Sequence, residues 1–428
     1  MNEETQAVWE AIAVYAPEVP ETERVPPGYK QTEIGVIPRT WEVKRLGEEA
    51  TLRTGPFGST LHKSDYITDG VPVINPMHIV DGQLVPTQTM TVRNNSAKRL
   101  SEFQLRADDI VIGRRGEMGR CAVVREEQAG WLCGTGSLII RCTKSVVPNY
   151  LQRILSSPAV ISAIEEGSVG STMINLNQGV LGKLAIQFPP FSEQRAIASA
   201  LSDVDALISS LDRLIAKKRA VKTAAMQQLL TGKRHLSGFS GEWEVKRLGE
   251  IARITMGRTP SRRVQAYWGR GHPWLSIADL TTKHLTTTKE EITEAAVADM
   301  RVIPKGTLVM SFKLTIGKLG FTHRDMYSNE AICAFNELKA NAEFLYYILG
   351  RTDFSLYGKQ AVKGYTLNKE SLGNVEVPHP SLEEQTAIAT VLSDMDAEIS
   401  ALEVRREKTR QVKQGMMQEL LTGRTRLV

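Results

Sequence analysis

The run Trp41-Glu42-Val43-Lys44-Arg45-Leu46-Gly47-Glu48 recurs letter for letter as Trp243-Glu244-Val245-Lys246-Arg247-Leu248-Gly249-Glu250. A second block repeats further on. Glu193-Gln194-Arg195-Ala196-Ile197-Ala198 returns as Glu384-Gln385-Thr386-Ala387-Ile388-Ala389, which places Gln194 and Gln385 191 residues apart. At that offset Leu201-Ser202-Asp203-Val204-Asp205-Ala206 falls on Leu392-Ser393-Asp394-Met395-Asp396-Ala397, and Leu229-Leu230-Thr231-Gly232 falls on Leu420-Leu421-Thr422-Gly423. A period this long exceeds any solenoid unit and marks two whole modules.

Between the shared blocks the copies diverge. Thr54-Gly55-Pro56-Phe57-Gly58-Ser59 stands against Met256-Gly257-Arg258-Thr259-Pro260-Ser261, and only echoes survive: Gly119-Arg120 against Gly317-Lys318, Leu176-Asn177 against Leu367-Asn368, Gly182 against Gly373. Each half therefore has a near-constant frame and a variable insert, two versions of one job. In the inserts Ile110-Val111-Ile112, Ser137 to Ile140, Leu308-Val309-Met310 and Ala331 to Ala334 are short β-type runs bounded by turns. Tyr150 to Ile164 and Ala342 to Leu349 read as short helices, so each insert is expected to be an α+β domain.

The constant blocks after the inserts read as long helices. Ile197, Leu201, Val204, Ile208, Leu211 and Ile215 step by alternating four and three, as do Ile388, Leu392, Met395, Ile399 and Leu402, which is a heptad seam. Pro189-Pro190, and Pro378 with Pro380, mark the entries; Ser381 and Glu384 have the spacing of a capping box. Gly232 and Gly423 sit where a glycine C-cap belongs. In the second half of the seam Lys218, Lys222, Arg406 and Lys413 replace apolar residues, so that half is expected to be solvated or to face a partner. The expected organisation is an N-terminal extension, a short helix and acidic tether, over 1–28; a first variable domain with its lead-in over 29–190; a first helix block over 191–240; a second variable domain over 241–380; and a second helix block over 381–428.

Composition narrows the function by exclusion. A net charge of +5 over 428 residues is only mildly basic, and decides little. The four cysteines form no CxxC pair, so they read as reduced, partly buried thiols rather than zinc ligands. No apolar run reaches the ~20 residues of a membrane span. Met1 to Tyr15 lacks the basic start of a signal peptide, and the expected location is cytoplasmic. An amino-methyltransferase loop needs Asn or Asp before Pro-Pro; Phe188-Pro189-Pro190-Phe191 offers no acceptor, and the other half reads His379-Pro380-Ser381-Leu382. No G-x-x-x-x-G-K-[ST] is present. Glu42-Val43-Lys44 has the Glu-x-Lys of some nucleases without the upstream Asp. No enzyme activity is expected, and no metal site.

Taken with the duplicated layout, these residues resemble the specificity subunits of type I restriction–modification systems. The resemblance runs from about residue 29 to 428. It is carried by Tyr29-Lys30-Gln31-Thr32-Glu33-Ile34-Gly35-Val36-Ile37-Pro38 leading into Trp41-Glu42-Val43, by Pro190 with Glu193-Gln194, by Glu384-Gln385, and by the Leu-Leu-Thr-Gly helix ends. Gly257 to Pro260 with Tyr267-Trp268 and Trp274 also looks like the opening of such a domain. The resemblance implies two target recognition domains, each reading one half of a bipartite asymmetric site on double-stranded DNA. It implies an antiparallel coiled coil that sets the spacer and docks two modification (methyltransferase) subunits, joined by restriction (motor-nuclease) subunits. S-adenosylmethionine, ATP and magnesium would belong to those partners, with no cofactor in this chain. A helix of ~39 residues spans ~58 Å, more than one ~34 Å turn of DNA. The equivalent subunit of a fused-nuclease system is the alternative within DNA binding; a coiled-coil adaptor that binds no nucleic acid is the alternative outside it, and a stand-alone nuclease the third.

DNA contact calls for cations at phosphates and fork-shaped donors or amides at base edges. Arg114, Arg115 and Arg120 flank a glycine turn in the first insert; Lys313 and Lys318 occupy the matched turn in the second. Arg258, Arg262 and Arg263 lie in a Gly/Pro/Ser loop. The strip Gly170 to Asn177, with Ser171, Thr172, Asn175 and Asn177, matches Lys363-Gly364-Tyr365-Thr366-Leu367-Asn368. For each charge a solvated surface position is the competing reading. Trp268 and Trp274 read as core before stacking surfaces, and Asn175, Asn177 and Asn368 serve equally as turn caps.

Overall fold

The computed structural model describes residues 25–56, 60–166, 176–313, 315–361 and 364–427. The helix and tether expected before residue 25 lie outside them. The chain divides into two compact units, Met1–Ser209 with Glu407–Val428, and Ser210–Arg406. Each unit thus takes part of the first long helix, Phe191–Leu229, and part of the second, Leu382–Leu421.

The first unit builds a four-stranded antiparallel sheet in the order Cys121–Val123, Ile110–Gly113, Ser137–Cys142, Ala50–Thr54. A second four-stranded sheet, Leu132–Cys133, Val71–Ile74, Thr91–Val92 and Tyr66–Ile67, packs beside it. The continuous apolar run at Ile110–Ile112 has no polar alternation because both faces are covered. Ile110 and Ile112 join the core that includes Tyr150 and Ile154, while Val111 joins Ile74 and Val124. Each such fully buried side chain contributes ~1.5–3 kcal/mol. The helical stretch expected from Tyr150 to Ile164 is two helices, Pro148–Leu155 and Pro158–Glu166. Pro158 has no N–H to continue the first and opens the second instead.

The second unit repeats this plan with a five-stranded sheet ordered Arg253–Met256, Ile332–Asn336, Leu308–Ser311, Leu319–Thr322, His284–Leu285. A three-stranded sheet centred on Trp268–Leu275 lies over it, and the helix Ala342–Leu349 packs Phe344, Leu345, Tyr347 and Ile348 into the core. Both units are α+β.

The constant blocks close each unit in the same way. Glu42–Arg45 pairs antiparallel with Ala185–Phe188, and Glu244–Arg247 with Glu376–His379. Gly47 approaches Gly182, where an added Cβ would stand 3.2 Å from the Gly182 carbonyl oxygen, and Gly249 meets Gly373 at 3.3 Å. The echo of Gly182 in Gly373 thus marks a close helix–helix approach. Gly232 and Gly423 end the long helices at φ 68° and 72°, the left-handed cap that glycine adopts without strain.

A buried carboxylate locks each module. Glu193 is fully buried, accepts the Trp41 indole N–H at 2.9 Å, and receives a forked pair of hydrogen bonds from Arg426. In the second unit Glu384 accepts from Trp243 at 3.0 Å and faces His235 Nδ1 at 2.8 Å. Arg426 lies 191 residues after His235, so the segment following one long helix completes one module and the segment following the other completes its twin. Ser381 Oγ accepts the Glu384 N–H at 3.2 Å. The Glu384 carboxylate goes to Trp243 and His235, so only half of the expected capping box forms.

In each unit the helix segments run antiparallel. Glu193 meets Arg426 and Asp205 meets Lys413 in the first; Asp212 meets Arg406 and Lys222 meets Asp396 in the second. Ile197, Leu201, Leu211, Ile215, Ile388, Leu392 and Ile399 of the seam are buried. The basic half of the seam departs from expectation. Lys218, Lys222, Arg406 and Lys413 are half-buried and pair across the helices with Glu398, Asp396, Asp212 and Asp205. Partly exposed pairs of this kind contribute at most ~1 kcal/mol each. Their consequence is register: a one-residue slip would separate four pairs at once.

Candidate nucleic-acid interface

Two turns built to one pattern carry the basic residues. In the first unit the strand Ile110–Gly113 runs into Arg114, and the Gly113 N–H donates to the Arg120 carbonyl at 2.9 Å. In the second, Ser311 donates to the Lys318 carbonyl at 2.9 Å. Arg115 therefore corresponds to Lys313, and Arg120 to Lys318. Gly119 and Gly317 take φ 74° and 87° to close the turns, and a Cβ at Gly119 would strike Ile161.

Behind each turn the second strip docks by the same bond. Leu176 donates its backbone N–H to the Arg114 carbonyl at 2.9 Å, and Leu367 to the Phe312 carbonyl at 3.2 Å; both leucines are buried. Asn177 and Asn368 then follow as helix caps, accepting from the Val180 N–H at 3.0 Å and the Ser371 N–H at 2.7 Å. Their side-chain oxygens are thereby occupied, and both residues are exposed. Ser171, Thr172, Asn175 and Lys363 lie outside the described residues. The Tyr365 backbone belongs to a short hairpin strand, Gly364–Thr366.

The arginines divide by what they touch. Arg114 is half-buried. It donates from Nε to the Leu176 carbonyl at 3.0 Å and from a terminal nitrogen to the Thr135 carbonyl at 3.4 Å. Burial, then the neighbouring Arg115 charge, lowers its pKa below the usual guanidinium range. Arg114 thus ties the basic turn to the 176 strip. Arg115 beside it is exposed and, among the described residues, has no carboxylate partner; the same holds for exposed Arg258 and Arg263 and for half-buried Lys318. Half-buried Lys313 faces Glu330, whose pKa is lowered by the Thr259 hydroxyl, then by its own backbone, and also by the Lys313 charge. Arg120 is paired with Glu117. Lys313 Nζ stands 5.5 Å from the centroid of the Phe312 ring.

Arg262 is held on three sides. Its guanidinium forks onto Glu290 at 2.5 and 2.7 Å and lies 3.5 Å from the Trp268 ring centroid and 5.3 Å from that of Trp274. The Glu290 contact raises the Arg262 pKa and lowers that of Glu290. Trp274 is buried, and Trp268 packs against it edge to face at 5.0 Å. Arg262 therefore stacks on this aromatic corner and braces the loop from which Arg258 and Arg263 project.

One neighbour of the first turn was not singled out from the sequence. Asn75 Oδ1 accepts the Gly136 N–H at 3.3 Å, and Pro76 fits against Gly113 and Gly136, where added Cβ atoms would crowd it. That turn leaves Met77 61% exposed beside the basic turn. Its counterpart in the second unit is the Ile277–Asp279 turn after Ser276, with Ala278 at the exposed position. The signal in the sequence was Asn-Pro followed by an apolar residue between two glycine-bounded strands.

Lys44 Nζ bridges Glu42 at 3.1 Å and Glu49 at 2.8 Å, so the Glu-x-Lys carboxylate is engaged in an ion pair. Among the described residues no group of three or more His, Cys, Asp and Glu is arranged to hold a metal, and no helix is long and apolar enough to cross a membrane. The cysteines are free; burial pushes the Cys121 thiol up to about 11 and those of Cys142 and Cys333 to about 12.

The family model for the type I restriction modification DNA specificity domain matches residues 38–217 and 240–411, once per module. The chain is 26% identical over 434 residues to a Methanocaldococcus jannaschii protein named as the MjaX specificity subunit of a type I restriction enzyme; the match covers 93% of this chain and 97% of that one. The fold is similar to that of the HsdS subunit of Thermoanaerobacter tengcongensis, with a TM-score of 0.52 at 20% identity over 90% of this chain and 98% of that one. It is also similar to the S subunit of the type I restriction-modification system of M. genitalium, with a TM-score of 0.56 at 17% identity over 89% and 96%.

Proposed function

The chain belongs to the type I restriction modification DNA specificity family, and we propose that it is the DNA-reading subunit of such a system. Each recognition domain reads one half of a bipartite, asymmetric site on double-stranded DNA, and the long helices set the spacer and dock two modification subunits. The chain itself carries no catalytic step. Adenine methylation, with S-adenosylmethionine, and motor-nuclease action, with ATP and magnesium, reside on the modification and restriction subunits.

One observation carries this reading. The two modules build the same turn with the same backbone bonds, yet fill it differently: Gly113-Arg114-Arg115 against Ser311-Phe312-Lys313. A frame held constant while the residues that fill it vary is the arrangement expected of two readers with different targets. Within it, Arg115, Arg120, Lys313 and Lys318 at the turns and Arg258 and Arg263 in the loop meet the duplex, the lysines mainly at phosphates and the arginines also at base edges. Asn177, Asn368 and Tyr365, with Ser171, Thr172, Asn175 and Lys363, extend that surface. Arg114 and Arg262 hold it in shape.

The test is binding of random-sequence duplexes by the purified chain, alone and with its modification partner. Salt-dependent binding that becomes site-specific with the partner is expected. No affinity for duplex in either form would overturn the proposal, as would methyltransferase, ATPase or nuclease turnover by the isolated chain that a mutation in it abolishes.

A further inference from the structure

Where each recognition domain meets the long helices, one aspartate sits at the joint. In the first unit Asp205 of the first long helix receives Lys413 of the second at 2.6 Å and Arg153 of the recognition-domain helix Pro148–Leu155. In the second unit Asp396 receives Lys222 of the first long helix and, at 2.7 Å, the hydroxyl of Tyr347 on the recognition-domain helix Ala342–Leu349. Asp205 and Asp396 are 191 residues apart, as are Lys222 and Lys413. Arg153 and Tyr347 also occupy one position. Val147 and Asn341 donate their backbone N–H groups to Gln194 and Gln385 at 2.9 and 2.8 Å, and Arg153 and Tyr347 each follow six residues later. The joint is therefore repeated in position and differs only in the group that the domain contributes.

The surroundings make both joints stiff. Arg153 is 15% exposed, and its Nε is buried with no partner, so among the described residues its bond goes to Asp205. Tyr347 is 2% exposed; Lys222 lies 5.2 Å and Lys283 5.0 Å from its ring centroid. Burial raises the Tyr347 pKa, so the phenol stays neutral and donates. One carboxylate thus fixes two things together, helix to helix and domain to helix.

We propose that Asp205 and Asp396 are positioning residues that hold each recognition domain at a set angle on the helices, and so set how strictly the spacer between half-sites is enforced. This rests on the proposed half-site function. An ion pair that merely added stability would shift unfolding and leave spacer choice alone. The two joints also differ in kind. Arg153 to Asp205 joins opposite charges and weakens as salt rises, whereas the Tyr347 hydroxyl bond is less sensitive to screening.

The test uses the full chain assembled with its modification partner, on a plasmid library in which the spacer is the native length or one base pair longer or shorter. The readout is the ratio of methylation at native to altered spacers. Asp205→Asn and Asp396→Asn should each lower that ratio by about tenfold, the size of one lost charge-assisted hydrogen bond, with both half-site sequences unchanged. Tyr347→Phe keeps the ring and removes the hydroxyl, which besides Asp396 meets Lys283 Nζ and Ser393 Oγ at 3.3 Å each, so it should lower the ratio without loss of folding; Arg153→Lys keeps the charge and should retain most of it. Raising the salt should lower the ratio more in the Asp396→Asn protein, which keeps both the Arg153 and Lys413 pairs to Asp205, than in the Asp205→Asn protein, which keeps only the Lys222 pair beside the Tyr347 bond. Unaltered ratios in all four variants, with methylation by the wild-type complex intact, overturn this inference alone, as does a change in a half-site sequence. A wild-type complex that methylates nothing overturns the functional reading and this one with it.

Discussion

Replacing Arg114 and Arg115 one at a time separates two adjacent arginines that differ in what they hold. Arg114 is half-buried and bonded to the carbonyls of Leu176 and Thr135; Arg115 is exposed. A charged donor lost from a carbonyl costs about 1.5–3 kcal/mol, and the partial exposure of Arg114 puts Arg114→Ala at the lower end. That loss falls on local stability, because the 176 strip loses its tie to the turn. Arg115→Ala should leave stability unchanged and remove one phosphate contact, which flattens the slope of log affinity against log salt by ~0.9. Between about 50 and 200 mM salt that is roughly a 3.5-fold change in affinity per contact. Fluorescence anisotropy on a non-specific duplex across that range, with urea unfolding in parallel, reads both. A slope flattened by Arg114→Ala but not by Arg115→Ala would refute the division. If Arg115, Lys313 and Lys318 all become Ala with affinity intact at moderate salt, the binding surface is elsewhere.

Other consequences follow from the frame. Glu193→Ala leaves the Arg426 guanidinium and the Trp41 N–H without their buried acceptor. It should cost about 3–5 kcal/mol, seen as early unfolding of the first unit in urea. Glu49 has its pKa lowered from the ordinary 4.5 by the bond from Lys44, then by Ser145 and Thr143. Its stabilisation is therefore full above the unfolded value and is lost as pH falls through the folded one, so Glu49→Gln should narrow the difference between pH 7 and pH 3 unfolding. Inserting four residues near Ala216 lengthens one helix by ~6 Å. At ~3.4 Å per base pair the half-sites should stay the same, with a spacer one or two base pairs longer. An active mutant that keeps the original spacing would show that the helices do not set it.

The frame was legible because it repeats. The block around Trp41 and Trp243, the Glu-Gln pairs and the capping glycines occur twice, and the repeat turns each into a constraint on the fold. What joins them was not legible. Nothing local to Trp41 and Glu193 says that an indole N–H meets that carboxylate 152 residues on, although the 191-residue spacing of His235 and Arg426 carried the hint. The pairing in the basic half of the seam was not legible either, because the partners of Lys218, Lys222, Arg406 and Lys413 lie on the other helix. The candidate interface was legible as composition only. Arg114 and Arg115 are identical letters, and just one of them is bonded to carbonyls of its own domain. Arg262 reads as a free cation until Glu290 and Trp268 are brought to it by strand pairing across 28 and 6 residues.

The central claim is that one chain carries two separate readers. Mapping methylated adenines genome-wide tests it most directly, in a host carrying this chain and in the same host carrying a version with residues 49–188 exchanged for another reader. The expected result is a bipartite motif that depends on the chain, with one half replaced by the exchange and the other half and the spacer unchanged. An exchange that alters both halves, or a methylation pattern indifferent to the presence of the chain, would contradict it.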